Sequence, residues 1–500
     1  MSDLTHRTTP AASAVGRIET NGINVIDESE RKGHPVDLAW PWAASNISIL
    51  GMSWGAFVLS MGVNIWQGMA AALIGVTASF LLVGLASIAG KRGSAPTLTL
   101  SRAAFGLRGN LLPGLVSYLL LVGWEIALVS IGTLASSTVF QHLGFGGGDL
   151  TKVLTFAGIV AVIIAAGVLG FDTIMRLQKW LTLTTIVATL GFMALTLDDV
   201  DLGAAADAPA GGPTAFIGAA LLVFTGFGIG WTNCSADYSR YLPRSASSRG
   251  IVGWTTAGAS VPVVLLVLWG LLLCASDEEL TNAMFTDPVG ALITLVPDWY
   301  LIPFFLVALA GLIAGAVLDL YSSGLTLLAI GIKVPRWQAA SIDGVLMVLG
   351  AIYVVWFATD FLGPFQGFLI TLGVPLAAWC GIFLADLALR RGDYDADKLF
   401  DAHATRGYGS VDPVSVGLMV FATVVGWGLV TNTYAGWLDW QGYLLGPLGL
   451  GGKEGEWAFA NVGVLVALVL GFVVAYAARR ATVARQEEAR VGADGGPTRR

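Results

Sequence analysis

Charge is what this 500-residue chain has least of. Asp, Glu, Lys and Arg together make up 12% of it, about half the roughly 25% of an ordinary soluble domain. So few charges could not cover a water-facing surface of this size. A soluble enzyme, a nucleic-acid binder and a disordered chain are therefore excluded. Cysteine is scarce too. Cys234, Cys274 and Cys380 stand far apart in apolar runs without C-x-x-C spacing, so no disulfide framework, zinc site or iron–sulfur cluster is expected. The four histidines (His6, His34, His142 and His403) lie in tails or near loops, which argues against haem ligation within a membrane and against a His-based hydrolytic dyad. No G-x-x-x-x-G-K-[ST] stretch occurs, so no ATP-binding P-loop is present.

What the chain does have is apolar bulk. Hydrophobic residues reach 55%, with 64 Gly, 17 Trp and 23 Phe, and the mean hydropathy is +0.74. This is the composition of an all-α polytopic membrane protein. A spanning helix needs about 20 apolar residues. Twelve stretches qualify: 40–64, 66–89, 112–140, 153–171, 177–197, 214–234, 251–274, 300–332, 338–358, 361–389, 413–432 and 457–478. Their uniform apolarity favours helices over the alternating segments of a barrel. Residues 1–39 are polar, carry four basic residues and show no cleavage pattern, and they read as a cytosolic tail before an uncleaved first span.

The basic residues set the orientation. With a cytosolic N-terminus, every Lys and Arg except Lys152 and Lys453 falls on the cytosolic side, whereas outer loops such as DDVDLGAAAD (198–207) and SDEEL (276–280) are acidic. This bias predicts a plasma-membrane protein with both termini in the cytosol. Residues 433–456 read as an outer re-entrant or interfacial segment.

Two spans are interrupted. The first contains PWAASNISILGMSWGAF (41–57), with Ser45, Asn46, Ser48 and Gly51. The sixth contains FTGFGIGWTNCSADYSRYLP (224–243), with Gly226, Gly228 and Gly230 before Trp231. Glycine is a weak helix former, and carbonyls freed within lipid must find partners or line a wet cavity. Small residues also serve plain helix packing. Their recurrence five spans apart instead predicts two inverted five-helix repeats, 40–197 and 214–389, each beginning with a discontinuous helix. Residues 390–478 then supply a cytosolic loop and two further helices, and 479–500 a cytosolic tail.

Carboxylates inside apolar runs are the second signal. Glu125 lies in LLLVGWEIALVSIG (119–132) and Asp319 in LIAGAVLDLYSSGLTLL (312–328). A charge at mid-membrane costs at least ~2.5 kcal/mol on insertion scales, so it faces protein or water. Asp386 and Arg390 read as a structural i, i+4 pair, and Asp237 and Arg240 as helix-end structure. Trp124 and Trp231 sit beside these charged or interrupted segments, where planar indoles suit a flat heterocycle whose edge is read by nearby polar groups.

With these residues in place, the chain resembles the nucleobase–cation symporters, and within them the purine–cytosine permease branch. The likeness runs over roughly residues 36–432. It rests on SNISILGMSWGAF (45–57), KRGSAPTLTLSRAAFGLRGNLLPGL (91–115) with VGWEIAL after it, GWTNCSADYSRYLPRS (230–245) and LYSSGLTLLAIG (320–331). The resemblance implies a substrate held between a bundle (spans 1, 2, 6, 7) and a scaffold (spans 3, 4, 8, 9), with access alternating between the two sides. It implies Trp124 as the stacking residue, Phe227 to Trp231, including Gly228, as an unwound stretch, and Ser45 to Ile49 as the span-one break. It also places Asp319 near the polar span-eight contacts. Sodium-coupled members use span-one carbonyls, here Ser45 and Ser48, with two span-eight hydroxyls, but those positions are Ala314 and Gly315 in this chain. An amide that some relatives carry after the span-three Trp is replaced by Leu128.

The expected function is import of cytosine, a purine or a related heterocycle together with protons. Trp124 and Trp231 would stack on the ring, and Phe227, Gly228, Ser45, Asn46 and Asp319 would line the site, with Asn233 another possible edge contact. Asp319, Glu125 and Ser48 would serve ion coupling. No catalytic residue, metal or cofactor is expected. Sodium coupling, and an amino-acid transporter of the same architecture, stand as alternatives.

Overall fold

The computed structural model describes residues 16–203, 208–359, 361–403 and 407–493. Among the described residues there is no β-strand. Eight helices are each long and apolar enough to cross a membrane, and a ninth span counts if the bent pair Gly463–Ala478 and Arg480–Glu488 is taken as one. The remaining predicted stretches are occupied by broken or shorter helices and by Phe171–Leu195, which carries Asp172, Arg176 and Lys179. Leu119, Val187, Leu306 and Leu349 each expose more than half of their surface, the pattern of side chains whose solvent is hydrocarbon.

Local chemistry sets the helix ends. Span 2 (Ile65–Gly93) starts at a reciprocal capping box, the Asn64 side chain accepting from the Gln67 amide and the Gln67 side chain from that of Asn64. Span 11 (Pro413–Trp427) begins with Asp412 as cap and Pro413 in the first turn. Between spans 4 (Asp149–Leu169) and 5 (Phe171–Leu195) the expected five-residue loop does not exist. Gly170 at φ +90° is the whole connection, because only glycine takes that conformation without strain. Arg176 and Lys179 therefore ride in the first turns of span 5.

Spans 1 and 6 are both discontinuous. Span 1 runs as Ala39–Ala44, ends in a turn at residues 45–47, is extended at Ser48, tightens to a 3-10 turn at Ile49–Met52 and resumes at Trp54–Leu59. Span 6 runs as Pro213–Gly226, breaks at Phe227 (φ −108°, ψ −90°) and continues as a 3-10 helix, Gly228–Cys234, into Ser235–Ser239. The expected unwound stretch at 227–231 is thus one broken residue followed by a tightened helix. Gly228 is fixed by contact with span 2. Its amide donates to Ser79 Oγ at 3.2 Å, and a β-carbon on it would overlap the Ser79 backbone. Gly228→Ala is expected to push spans 2 and 6 apart and lower the melting temperature in detergent; an unchanged value would mean the contact is dispensable.

Spans 2, 6, 7 (Ser248–Ser276) and 1 pack together as one group. Spans 3 (Leu111–His142), 4, 8 (Asp298–Ala329) and 9 (Arg336–Trp356) pack as a second. Span 10 (Leu362–Leu389) leans on spans 3 and 6 and forms a third cluster with spans 11 and 12. Asp386 sits at its foundation, held by Arg390 at 2.6 Å and Arg479 at 3.0 Å, with Arg479 also reaching Asp412 at 2.5 Å. The expected i, i+4 pair is therefore part of a larger buried ionic knot. Residues 433–456 fold as turns against span 10, where Gln441 Nε2 donates to Thr371 Oγ1 at 3.0 Å.

Over its described residues neither flanking segment is a free tail; residues 494–500 of the expected C-terminal tail lie outside them. Of the expected tail 1–39, residues 1–15 lie outside the described residues and 16–38 are laid across the basic end. At the other terminus, Arg480–Ala493 is helical, and its Gln486 and Glu487 bond Arg390 and the amides of Arg391 and Gly392.

Candidate substrate and ion site

The two breaks meet span 8 and span 3 at different places. The span-one break lies on glycines of span 8. The Ser48 Cα is 3.2 Å from where a β-carbon on Gly311 would stand, and the Ser45 carbonyl oxygen is 3.6 Å from that of Gly315. Ser48 Oγ is buried without a protein partner. The Asn46 amide donates to the Trp42 carbonyl at 2.8 Å and to Ser45 Oγ at 3.0 Å, so its donors secure the end of the first half-helix. Ala314 offers no hydroxyl, and its carbonyl accepts from Gln178 Nε2 of span 5 at 2.8 Å.

At the span-six break, aromatic rings gather. Trp124 is half-buried, with Nε1 3.6 Å from where a β-carbon on Gly230 would stand and its ring perpendicular to Phe365 at 5.0 Å. Phe227 packs on Trp54 at 4.6 Å. Trp231 is half-buried and meets the fully buried Trp42 edge-on at 5.7 Å; Trp42 in turn abuts Tyr238 at 5.4 Å. The two indoles therefore flank the break in different company, Trp124 from span 3 of the scaffold and Trp231 on span 6 itself, against Trp42 of the first half-helix of span 1. Asn233 spends its amide on Ser117 Oγ at 2.6 Å.

The buried carboxylates form a separate group, and it is larger than expected. Glu125 of span 3 has no exposed surface, and neither of its oxygens has a protein partner. It faces Ser323 and lies within electrostatic reach of Asp343 and Asp319. Ser323 Oγ donates to Asp343 Oδ2. Asp319, one turn before Ser323, is 2% exposed with Oδ2 unpartnered, and it looks across to Cys234 and Tyr238 of span 6. Tyr238 ties the two groups of helices together, its hydroxyl donating to the Leu318 carbonyl at 2.9 Å and sharing a hydrogen bond with Ser322 at 3.0 Å. Among the described residues no Lys or Arg is ion-paired to Glu125, Asp319 or Asp343, and no cluster of His, Cys, Asp and Glu could hold a metal ion.

Sequence reading missed four of these residues. Asp343 sits in SIDGVLMVLG near the start of a span, where a carboxylate reads as interfacial; its burial was the missing information. Trp54 and Gln178 look like ordinary packing residues. Glu19 lies in a segment read as tail. Its Oε1 accepts from Arg240 at 3.0 Å, Tyr241 at 2.5 Å and Tyr321 at 3.2 Å, and its Oε2 from the Phe171 amide at 2.8 Å, with Arg336 at 3.6 Å. Burial pushes the Tyr241 phenol above its ordinary range, which keeps it a donor to Glu19. Arg240 and Tyr241 follow span 6, whereas Tyr321, Arg336 and Phe171 belong to spans 8, 9 and 5. One carboxylate thus bolts the two groups of helices together at the basic end. Asp237, read as helix-end structure, caps Thr97 through its amide at 2.7 Å and its hydroxyl at 2.8 Å.

This arrangement has counterparts. Among solved structures the chain is similar to Mhp1, a nucleobase-cation-symport-1 family transporter. The closed conformation with bromovinylhydantoin bound gives a TM-score of 0.66 at 19% identity, covering 94% of this chain and 99% of that one. The inward-facing conformation gives 0.63. At that identity the likeness establishes the fold. By sequence, the chain is 25% identical over 480 residues to the putative purine-cytosine permease YxlA of Bacillus subtilis (strain 168), covering 92% of this chain and 96% of the relative. It is 24% identical over 485 residues to the purine-cytosine permease FCY2 of Saccharomyces cerevisiae (strain ATCC 204508 / S288c), covering 91% and 86%. The family described as "Permease for cytosine/purines, uracil, thiamine, allantoin" matches residues 25–442. The chain, a multi-pass membrane protein and a transporter rather than an enzyme, belongs to that family.

Proposed function

We propose that this permease imports a nucleobase or a closely related heterocycle, cytosine or a purine first among them, in symport with protons across the plasma membrane, with both termini in the cytosol. The observation that carries the substrate class is the half-buried Trp124 facing the Gly230 backbone at the span-six break. A flat ring inserted there stacks on the indole, and freed backbone and side-chain groups of spans 1 and 6 read its edge. Trp231, Phe227, Gly228, Ser45, Asn46 and Asp319 complete the site in this reading.

Protons are favoured over sodium on three grounds. The span-eight positions that the resemblance assigns to the sodium-binding hydroxyls are Ala314 and Gly315, which bring none; Gly315 lies beside the Ser45 carbonyl. The Ala314 carbonyl is already engaged by Gln178, and a hard cation needs several oxygen ligands. Asp319, at the seam, and Glu125, within the scaffold, are by contrast buried carboxyls free of counter-ions, and an ionisable residue at membrane depth marks a proton or ion path.

The test is uptake by purified protein in proteoliposomes, across a panel of bases and amino acids under imposed pH or sodium gradients. Bases accumulating on a pH gradient support the reading. Accumulation that follows sodium and ignores pH overturns the proton assignment, and competition by amino acids but not bases overturns the substrate class. Asp319→Asn is expected to stop accumulation or uncouple it from the proton gradient; wild-type accumulation in that variant removes Asp319 from the coupling site.

A further inference from the structure

Asp343 lies outside the coupling residues proposed above. It is fully buried on span 9, its Oδ1 has no protein partner, and its Oδ2 takes the Ser323 hydroxyl. A second, independent feature points into the same spot from another helix. The Glu125 carboxyl, without exposed surface and without a protein partner for either oxygen, faces the same Ser323. Tyr118, seven residues before Glu125 and so on the same face of span 3 about two turns away, approaches Asp343 with a buried, unpartnered hydroxyl.

Among the described residues no cation is ion-paired to these carboxyls. Span 8 contributes Asp319, and span 6 contributes Tyr238 and Cys234, with Asp237 committed to Thr97. Arg336, two turns before Asp343 on span 9, is turned to the Gly167 carbonyl and to Glu19. The one carboxylate of span 4, Asp149, and its lone lysine, Lys152, stand in its first turn at the far end. Two carboxylates this close, both dry and both ionised, would repel each other with nothing to offset the repulsion. A hydroxyl between two carboxyls is the arrangement that lets one proton be shared by both.

We propose that Glu125, Ser323 and Asp343 form a single proton-binding site inside the scaffold, with Asp343 its station toward the basic end and Asp319 the link to the bundle. The proton is carried as the O–H of one carboxyl. When Glu125 is the acid, it donates to Ser323 Oγ while Ser323 donates its own hydrogen to the Asp343 carboxylate. Transfer leaves Glu125 as carboxylate, Asp343 as acid and the hydroxyl unchanged. Tyr238, bonded to Ser322 and the Leu318 carbonyl from span 6, gives the bundle a handle on the same turn of span 8. This inference rests on the proton-coupled reading above, which can be tested apart from it.

The experiment uses full-length protein in liposomes with pyranine trapped inside, given a mixture of cytosine, adenine, hypoxanthine and uracil. Wild type acidifies the lumen as bases enter. Asp343→Asn keeps base exchange at zero gradient and loses both acidification and pH-driven accumulation, and Asp343→Glu restores them in part. Ser323→Ala, which leaves both carboxyls in place, slows acidification per base imported. Acidification at the wild-type rate in Asp343→Asn overturns this site while leaving the symport reading intact. Should Asp343→Asn lose exchange as well, Ser323→Ala decides, and undiminished acidification there overturns the site. A wild type that imports bases without acidification, driven by sodium, overturns the symport reading and this site with it.

Discussion

Replacing Trp124 by alanine is expected to eliminate saturable base uptake over the concentrations at which the wild type saturates. A base stacked on an aromatic ring gains about 1–3 kcal/mol by alanine substitution, which is about 5–150-fold in affinity. The indole here is the one ring set against the Gly230 backbone from the scaffold side. Its loss leaves the fold standing, because Trp124 is only half-buried and its contact with Phe365 is edge-on at 5.0 Å. Expression and detergent melting should therefore stay near wild type while uptake fails. Trp124→Phe, which keeps a smaller π-face, should recover part of it. Uptake kinetics for wild type and the two variants check this, and an unchanged KM in Trp124→Ala takes the residue out of the site.

The second large effect is expected at Glu19. Its carboxylate is shared by Arg240, which has no exposed side-chain surface, and by Arg336, which is nearly as buried. Removing one partner of a buried ion pair costs about 3–5 kcal/mol, because the remaining charge is left uncompensated. Two guanidinium groups lose their anion in Glu19→Ala, as does the Phe171 amide. The cost falls on a seal between the two helix groups, which the proposed transport cycle would open. The variant should therefore expose residues 16–38 to solvent and favour exchange over accumulation. Hydrogen exchange read at peptides covering 16–38 checks this, with Glu19→Gln intermediate because it retains an acceptor for the Tyr241 hydroxyl. Protection equal to wild type in Glu19→Ala would mean the segment is held by its other contacts, such as Lys32 to Asp172 at 2.7 Å.

Legibility in the sequence followed the range of the interaction. The interrupted spans were readable because Ser45–Asn46–Ser48 and Gly226–Gly228–Gly230 carry their helix-breaking chemistry locally. Glu125 and Asp319 were readable because a carboxylate amid leucines announces its own cost. Asp343 and Glu19 were not, since each lies where a charge is cheap by sequence position, near a span start or in a polar leader. Only the packing of spans 3, 8 and 9 makes Asp343 dry, and only that of spans 5, 6, 8 and 9 gives Glu19 its partners. Gln178 reads as one more residue at a span boundary until span 8 brings the Ala314 carbonyl to it.

The division has a physical cause. Apolar length, charge placement and glycine content act residue by residue, through transfer free energy and backbone preference. By themselves they therefore determined a polytopic helical protein with breaks in spans 1 and 6. Partnership between groups hundreds of residues apart depends on which faces the helices turn toward one another. The tertiary structure alone decided that three carboxyls without counter-ions, Glu125, Asp319 and Asp343, lie within electrostatic reach of one another, that Asn46 caps a half-helix, and that one glutamate near the N-terminus locks the basic end.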